Sequence, residues 1–129
     1  MSKKHIMVVD DEKEIRELFR DVLENQGYDV TVCENGTDAI KCLKERPAFA
    51  AFVDIRMPGI DGVETLKLMK EINSDTQVVM ITGYTRNEAV DEALKLGCFV
   101  CMMKPFKLQD IMSVITILEA GLDELPLAA

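Results

Sequence analysis

The sequence predicts a doubly wound α/β domain, in which helices cover both faces of a five-stranded parallel sheet. Short apolar runs alternate with helical patterns five times along the 129 residues. The runs are too short for buried helices and suit strands that are covered on both faces. The segments between them are long enough for the right-handed crossovers that parallel strands require.

Each predicted element has its own signal. The helices carry apolar residues at spacings of three and four, and the strands are short apolar or alternating runs. Gly27, Pro47 and Gly97 stop the first, second and fourth helices, and Asp61 and Thr85 begin the capping patterns of the third and fourth. The predicted strands are 6–9, 29–33, 48–53, 77–82 and 98–103, and the last helix is 108–122.

The strand count also predicts the sheet order. Five strands in a single domain favour the flavodoxin-like order 2-1-3-4-5, in a three-layer α/β/α sandwich. The length fits one domain with one core. We assign that core to residues 4–122 and interpret 123–129 as a tail or the start of a linker.

Charge and hydropathy exclude two classes of partner. The net charge is −8, and a domain that binds nucleic acid through bulk charge needs a basic surface. No apolar run approaches the roughly 20 residues of a membrane span. Lys3 and Lys4 are followed by an apolar run too short for a signal peptide. We therefore expect a soluble, cytoplasmic protein that contacts neither nucleic acid nor membrane directly.

The four cysteines are Cys33, Cys42, Cys98 and Cys101. The last two form a C-x-x-C pattern, which is compatible with a redox or zinc site. They lie within the predicted strand 98–103, however, and residues three apart on a strand point to opposite faces. We therefore expect four free thiols in or near the core.

Charged and polar residues gather where the predicted strands end. Asp10 and Asp11 follow the first strand, Asp54 ends the third, Thr82 ends the fourth and Lys104 follows the fifth. In the order 2-1-3-4-5 these four strands are neighbours, so the side chains converge at one edge of the sheet. Ligands of open parallel sheets bind at this edge.

Three carboxylates this close together require a positive charge among them. Each close pair costs about 1 kcal/mol in water and about 4 kcal/mol at the effective dielectric of a protein surface. Lys104 is one candidate and a divalent cation is the other. Magnesium prefers oxygen ligands. We expect Asp11 and Asp54 to bind it directly, Asp10 through water, and the Arg56 carbonyl to add a further oxygen.

Such a site can carry out phosphoryl chemistry. A carboxylate beside a metal ion and an ammonium group can attack phosphorus and form an acyl phosphate. Lys104 would neutralise the phosphoryl oxygens and the Thr82 hydroxyl would bond one of them. Taken singly, each residue has a plainer interpretation: Asp11 as a helix cap, Thr82 as an ordinary strand residue and Lys104 as a solvated strand end.

The combination resembles a response-regulator receiver domain of two-component signalling. The matching segments, spread over essentially the whole chain, are the pair Asp10-Asp11, Asp54 within DIRMPGIDG, Thr82 within ITGY, and the KPF that begins at Lys104. Their wording is most similar to receivers of the nitrogen-regulator type.

The resemblance implies a phosphorylation-activated switch. Asp54 would accept a phosphoryl group from a histidine kinase or a histidine phosphotransfer protein, with Mg²⁺ as cofactor. Asp10, Asp11, Asp54 and the Arg56 carbonyl would take the metal roles given above. Lys104 would pair with the phosphoryl group, and its peptide bond to Pro105 would be cis. Such a domain signals to an effector and has only weak intrinsic autophosphorylation and autodephosphorylation.

The resemblance also implies how the switch is transmitted. Thr82 would move toward the phosphoryl group and change the face made by helix 4, strand 5 and helix 5. The family usually has an aromatic residue where this chain has Cys101, and Phe99, two residues earlier and expected on the same face, is the candidate replacement. Arg56 and Tyr84 would flank the site and slow hydrolysis of the acyl phosphate.

The last helix also suggests a partner surface. Met112 and Ile117 are apolar residues outside its main stripe. We therefore expect phosphorylation to control an effector contact or a homodimer through the face of helix 4, strand 5 and helix 5.

Three other functions share parts of this pattern. A haloacid-dehalogenase-type phosphatase shares the chemistry, but would have an aspartate where this chain has Arg56, and its acidic pair would come late in the chain. A flavin-binding protein would have a phosphate loop in place of the acidic run 10–12. A degenerate receiver that acts only as a binding module would not need the complete set of acids, threonine and lysine.

Overall fold

The computed structural model describes residues 3–83 and 88–121. Five strands and five helices alternate through these residues. In order they are β1 His5–Val9, α1 Lys13–Asn25, β2 Asp29–Cys33, α2 Gly36–Glu45, β3 Ala50–Asp54, α3 Gly62–Ile72, β4 Gln77–Thr82, α4 Glu88–Lys95, β5 Val100–Met103 and α5 Leu108–Ala120.

The strands form one parallel sheet in the order β2-β1-β3-β4-β5, which confirms the predicted fold class. Every residue of the central strands β1 and β3 is buried, because helices cover both of their faces. The strand β5 has four residues and lies at an edge of the sheet, where it pairs with β4 from Val100 to Met103. No helix in the described ranges is both long and apolar enough to cross a membrane.

The two faces of the sheet carry separate hydrophobic clusters. Phe19 of α1 and Ile111 of α5 pack with Phe52 on one face, whereas Leu66 of α3 packs with Met80 on the other. The helices α1 and α5 therefore cover one face, and α2, α3 and α4 cover the other. This division gives the predicted three layers.

The strand predicted at 98–103 begins two residues later than expected. Gly97 adopts a positive φ of 91°, and the Cys98 N–H donates to the Ala93 carbonyl at 3.1 Å. These are features of a glycine-terminated helix cap, so Cys98 completes the end of α4 instead of opening β5. Thr85 and Leu122, expected in a cap and in the last helix, lie outside the described residues.

This shift overturns two sequence expectations about side-chain direction. Cys98 and Cys101 do not point to opposite faces, because their sulfurs lie 3.9 Å apart in the same layer. Phe99 was expected on the same face as Cys101 but packs with the α1 and α5 cluster, whereas Cys101 packs with the opposite one. Strand alternation applies only from Val100 onward, so it does not relate residues 98 and 99 to Cys101.

At the amino-terminal edge of the sheet, buried polar groups are paired. The His5 ring donates from Nδ1 to the Pro47 carbonyl at 3.1 Å and accepts at Nε2 from the Thr31 hydroxyl at 2.7 Å. The buried Thr76 hydroxyl donates to the Ala48 carbonyl at 2.7 Å. These bonds connect the segments that lead into neighbouring strands.

Candidate functional site

The predicted site residues meet at the carboxyl-terminal edge of the sheet. Asp10 follows β1, Asp54 ends β3, Thr82 ends β4 and Lys104 follows β5. Asp10, Asp54 and Thr82 are 0%, 5% and 3% exposed. A carboxylate is rarely buried this deeply without a partner or a function.

The backbone around Asp54 holds its carboxylate in place. The Arg56 N–H donates to Asp54 Oδ1 at 3.2 Å, and the Ile55 N–H donates to the Ile81 carbonyl at 2.8 Å. Gly62 begins α3 so close to this strand end that a Cβ there would lie 2.2 Å from the Asp54 carbonyl oxygen. The Gly62 N–H donates to the Ile55 carbonyl at 2.8 Å. The end of β3 and the start of α3 are therefore packed backbone against backbone.

Lys104 joins the acidic groups. Its Nζ lies 3.5 Å from Asp10 Oδ2, 3.4 Å from Glu12 Oε1 and 3.3 Å from Asp54 Oδ2. Its backbone N–H donates to the Thr82 carbonyl at 2.7 Å, which sets the start of the side chain beside the end of β4. The Lys104–Pro105 peptide bond is cis, as the resemblance implied.

Burial and charge act in opposite directions on these groups. Burial raises the pKa of Asp10 to about 6, against a hydrogen bond from the Glu12 N–H. Burial also raises the pKa of Asp54, although the Lys104 ammonium opposes it. Burial works to lower the pKa of Lys104, but the carboxylates of Asp10 and Asp54 outweigh it and raise that pKa. The lysine therefore remains charged among the acids.

The acidic residues suit a hard divalent cation. Carboxylate oxygens of Asp10, Asp11 and Glu12 lie within 4.8 Å of one another. Asp10 Oδ2 is buried and accepts no hydrogen bond within the described ranges, although Lys104 lies 3.5 Å away. A buried oxygen of this kind is available to a metal ion or to its bound water. Asp54 does not belong to this group of three carboxylates, but the Lys104 ammonium contacts Asp54 as well as Asp10 and Glu12.

The other residues predicted for the site are Thr82, Arg56, Tyr84, Cys101 and Phe99. Thr82 is buried at the end of β4, in register with Met103. The Arg56 side chain is exposed, and the role of its carbonyl as a ligand stays a prediction. Tyr84 lies outside the described residues. The switch roles of Thr82, Cys101 and Phe99 also stay predictions.

Sequence reasoning missed two contacts of this site. Glu12 reaches Lys104, although only Asp10 and Asp11 were assigned from the acidic run. Arg16 donates from Nη1 to the Asp10 carbonyl at 2.9 Å and pairs with Glu34 at 3.5 Å. The only signal for Arg16 is its place one helical turn after Glu12, which brings the two side chains to the same end of α1.

Comparison with known proteins identifies the family. The model of the response regulator receiver domain matches residues 6–116. The chain belongs to this family. As a receiver domain it is 35% identical over 112 residues to sporulation initiation phosphotransferase F of Bacillus subtilis, an alignment that covers 86% of the chain and 90% of that protein.

Other relatives agree with this assignment. A putative NtrX-like response regulator of Rickettsia conorii is 33% identical over 118 residues, which is 90% of this chain but 25% of the relative. The crystal structure of a CheY-like receiver domain protein from Methanospirillum hungatei is 27% identical and superposes with a TM-score of 0.88, covering 92% of this chain and 96% of that one. Receiver domains are signalling domains, and this one is a phosphorylation-activated switch of a two-component system.

Proposed function

We propose that Asp54 is the residue that accepts the phosphoryl group, from a histidine kinase or a histidine phosphotransfer protein. The observation that carries this proposal is the contact of 3.3 Å between its buried carboxylate and the Lys104 ammonium. A carboxylate at the edge of the sheet, held by backbone and faced by a cation, is positioned for nucleophilic attack on phosphorus. Asp10 is buried as deeply, but it belongs to the acidic group formed with Asp11 and Glu12, which suits a cation.

The transfer is a single displacement at phosphorus. An oxygen of Asp54 forms a bond to phosphorus, the bond from phosphorus to the donor imidazole nitrogen breaks, and that nitrogen keeps the electron pair. Lys104 lies beside the oxygen that attacks and can follow the charge onto the phosphoryl oxygens. The Thr82 hydroxyl, at the end of the neighbouring strand, would donate a hydrogen bond to one of them.

Mg²⁺ is the cofactor that fits the acidic residues. We assign Asp11 and Asp54 as direct ligands, Asp10 as a ligand through water, and the Arg56 carbonyl as an additional oxygen. The buried oxygen Asp10 Oδ2 supports this assignment. When bound, the ion supplies the positive charge that an incoming phosphoryl group needs among three carboxylates.

The output surface is proposed to be the face of α4, β5 and α5. Leu94, Met103 and Leu108 on this side of the domain are 47%, 47% and 52% exposed, and a groove of about 380 Å³ lies against Met103. Exposed apolar groups of this kind favour a partner contact. Met112 and Ile117 are half-buried and add less to it. Movement of Thr82 would change this face and thereby control an effector or a homodimer in the cytoplasm.

The dimer can be tested with a phosphoryl mimic. The molar mass of the domain is measured by light scattering with and without beryllium fluoride and Mg²⁺, on wild type and on Met103→Lys. Doubling of the mass in wild type alone supports the dimer. A mass that stays monomeric at high concentration leaves only the effector contact.

Arg56 and Tyr84 are proposed to slow loss of the phosphoryl group by shielding it from water. The Arg56→Ala variant should lose its acyl phosphate faster than wild type, measured by intact mass after removal of the donor. Lys67→Ala, an exposed lysine on α3, is the control. Equal rates of phosphoryl loss for wild type, Arg56→Ala and Lys67→Ala would contradict this role of Arg56.

The phosphoacceptor assignment is tested by intact mass after incubation with acetyl phosphate, with and without Mg²⁺. We expect one added phosphoryl group on wild type with Mg²⁺, and none on Asp54→Asn. The matched control is Asp29→Asn, the same change at the opposite edge of the sheet, where Asp29 pairs with the exposed Arg46. This variant should be phosphorylated as wild type is.

The other outcomes identify the alternatives. Steady release of free phosphate without an adduct would indicate a phosphatase. Neither adduct nor phosphate release would indicate a receiver that acts only as a binding module. An adduct that persists in Asp54→Asn would place the acceptor on another residue.

A further inference from the structure

Two thiols approach each other where α4 meets β5. Cys98 Sγ and Cys101 Sγ are 3.9 Å apart, within the contact distance of a thiol hydrogen bond. Both pack in the layer of α3 and α4, on the face of the sheet away from α1 and α5. Phosphoryl transfer to Asp54 uses neither of them.

We infer that Cys98 and Cys101 form a redox-active dithiol, which a low-molecular-weight disulfide such as oxidised glutathione converts into an intramolecular disulfide. The site would give the domain an input that is separate from the phosphoryl donor. It lies on the same strand and connection that lead to Lys104, three residues after Cys101.

The local backbone permits the closure. A disulfide bond is about 2.05 Å long, so the two sulfurs must approach by about 1.9 Å. Cys98 lies before β5, and its N–H is bonded to the Ala93 carbonyl in the cap of α4 instead of to the neighbouring strand. Cys101 is on a four-residue edge strand that pairs only with β4 among the described strands. An edge strand has no neighbour on its outer side to resist a small shift.

The surroundings favour thiolate formation at Cys101, the more exposed thiol of the pair. A hydrogen bond from Cys98 lowers the pKa of the Cys101 thiol, although burial opposes the shift. The hydrogen bond to Cys101 and burial raise the pKa of Cys98, while the nearby Lys70 ammonium acts to lower it. Cys101 is half-buried and Cys98 is 8% exposed. Cys101 is therefore the attacking thiol and Cys98 the resolving one.

The other thiol pair, Cys33 and Cys42, also shares a side-chain hydrogen bond, but its surroundings disfavour a thiolate at Cys33. Burial, Cys42 and the Asp38 carboxylate together raise the pKa of Cys33 to about 12. The Arg16 guanidinium acts to lower this pKa, but burial and the neighbouring groups outweigh it. We therefore expect the Cys33 and Cys42 pair to react more slowly and to serve as the internal reference.

Oxidation takes place in two exchange steps. The Cys101 thiolate attacks one sulfur of RSSR, which forms a mixed disulfide and releases RS⁻. The Cys98 sulfur then gives up its proton and attacks the Cys101 sulfur, which releases a second RS⁻. The two released thiolates take up the two protons from the cysteines, so one dithiol and one RSSR give one protein disulfide and two RSH.

The test is incubation of the folded domain with oxidised glutathione, followed by alkylation of free thiols and peptide mass mapping. In wild type we expect a Cys98–Cys101 cross-link, with Cys33 and Cys42 alkylated. Cys98→Ser should accumulate glutathione on Cys101, at a rate at least about tenfold higher than Cys101→Ser accumulates it on Cys98. Cys42→Ser, the control, should form the cross-link at the wild-type rate.

Two results would overturn the inference. One is alkylation of Cys98 and Cys101 in wild type at every glutathione ratio, while circular dichroism shows the domain folded. The other is a cross-link that forms first between Cys33 and Cys42. Serine variants that fail to fold do not decide the matter, since the wild-type map and the Cys42→Ser control test the pair by themselves.

Discussion

The amino-terminal and carboxyl-terminal edges of the sheet differ in how their buried polar groups are bonded. At the amino-terminal edge, the His5 ring and the Thr76 hydroxyl each bond a backbone carbonyl from a neighbouring segment. At the carboxyl-terminal edge, Asp10 and Asp54 are buried with raised pKa values, and Asp10 Oδ2 accepts no hydrogen bond from any described residue.

This difference means that the buried polar groups at one edge stabilise the fold, whereas those at the other edge serve its chemistry. Buried groups that are hydrogen-bonded hold strands in register, and loss of one partner leaves an unsatisfied atom. Buried carboxylates with raised pKa values reduce stability, but they remain available for a cation and a phosphoryl group. Substitutions at the amino-terminal edge should therefore mainly lower stability, whereas substitutions at the carboxyl-terminal edge should mainly impair phosphorylation. Four substitutions test this expectation.

The largest effect is expected from Lys104→Met. Removal of the ammonium that faces Asp54 at 3.3 Å should lower the rate of phosphorylation by acetyl phosphate by about 10²-fold, because its charge no longer stabilises the phosphoryl oxygens. Intact mass over time gives the rate, and Lys67→Met controls for loss of a lysine. A rate within a few-fold of wild type would contradict the role of Lys104.

Thr76→Val tests the opposite edge. The substitution keeps the shape of the side chain but leaves the Ala48 carbonyl without its buried donor. We expect the free energy of unfolding to fall by about 1–3 kcal/mol, measured by urea denaturation, with phosphorylation unchanged. Thr116→Val is the matched control, because its hydroxyl also donates to a backbone carbonyl but is exposed to water. Equal losses for both variants would mean that burial does not matter here.

Asp10→Asn should increase stability while it impairs phosphorylation. Asn keeps the acceptor for the Glu12 N–H and removes a buried charge, so we expect a gain of about 1–2 kcal/mol near neutral pH with a chelator present. The folded pKa is raised from 3.8 to about 6. Wild type therefore loses stability relative to the variant as pH rises from about 4 to about 6, and the gap is constant above that. A gap that is independent of pH would contradict the burial of an ionised Asp10.

The smallest effect is expected from the pH dependence at His5. Burial lowers the pKa of the ring below 6.5, although the Pro47 carbonyl opposes the shift. The unfolded chain then binds a proton that the folded one does not, so stability falls as pH drops below about 6.5. The slope is at most about 1.4 kcal/mol per pH unit, since one proton is involved. The His5→Gln variant should lack this contribution, and identical slopes for the two proteins would contradict it.

The sequence was sufficient for the fold and for most of the site because both depend on short-range patterns. The apolar runs placed five strands, and the order of the strands then brought Asp10, Asp54, Thr82 and Lys104 to one edge. Strand ends are marked by a change from apolar to charged residues, which is visible without coordinates.

Contacts that depend on side-chain length or on a local turn could not be predicted in this way. Glu12 and Arg16 reach the site through long, rotatable side chains whose conformation leaves no sequence pattern. The two-residue alternation failed at Cys98 and Phe99 because the cap at Gly97 delays the start of β5. A strand pattern gives the direction of a side chain only when the first residue of the strand is known.

The close approach of Gly62 to the acceptor strand has an evolutionary consequence. Gly62 and Ile55 close the base of the loop 56–61 through a backbone hydrogen bond, and the N–H that bonds Asp54 Oδ1 also comes from the backbone. Substitutions within this loop can therefore accumulate while the acceptor stays in place, as long as residue 56 is not proline and residue 62 remains glycine. Side chains of the loop can therefore change while the backbone hydrogen bonds that position Asp54 are kept.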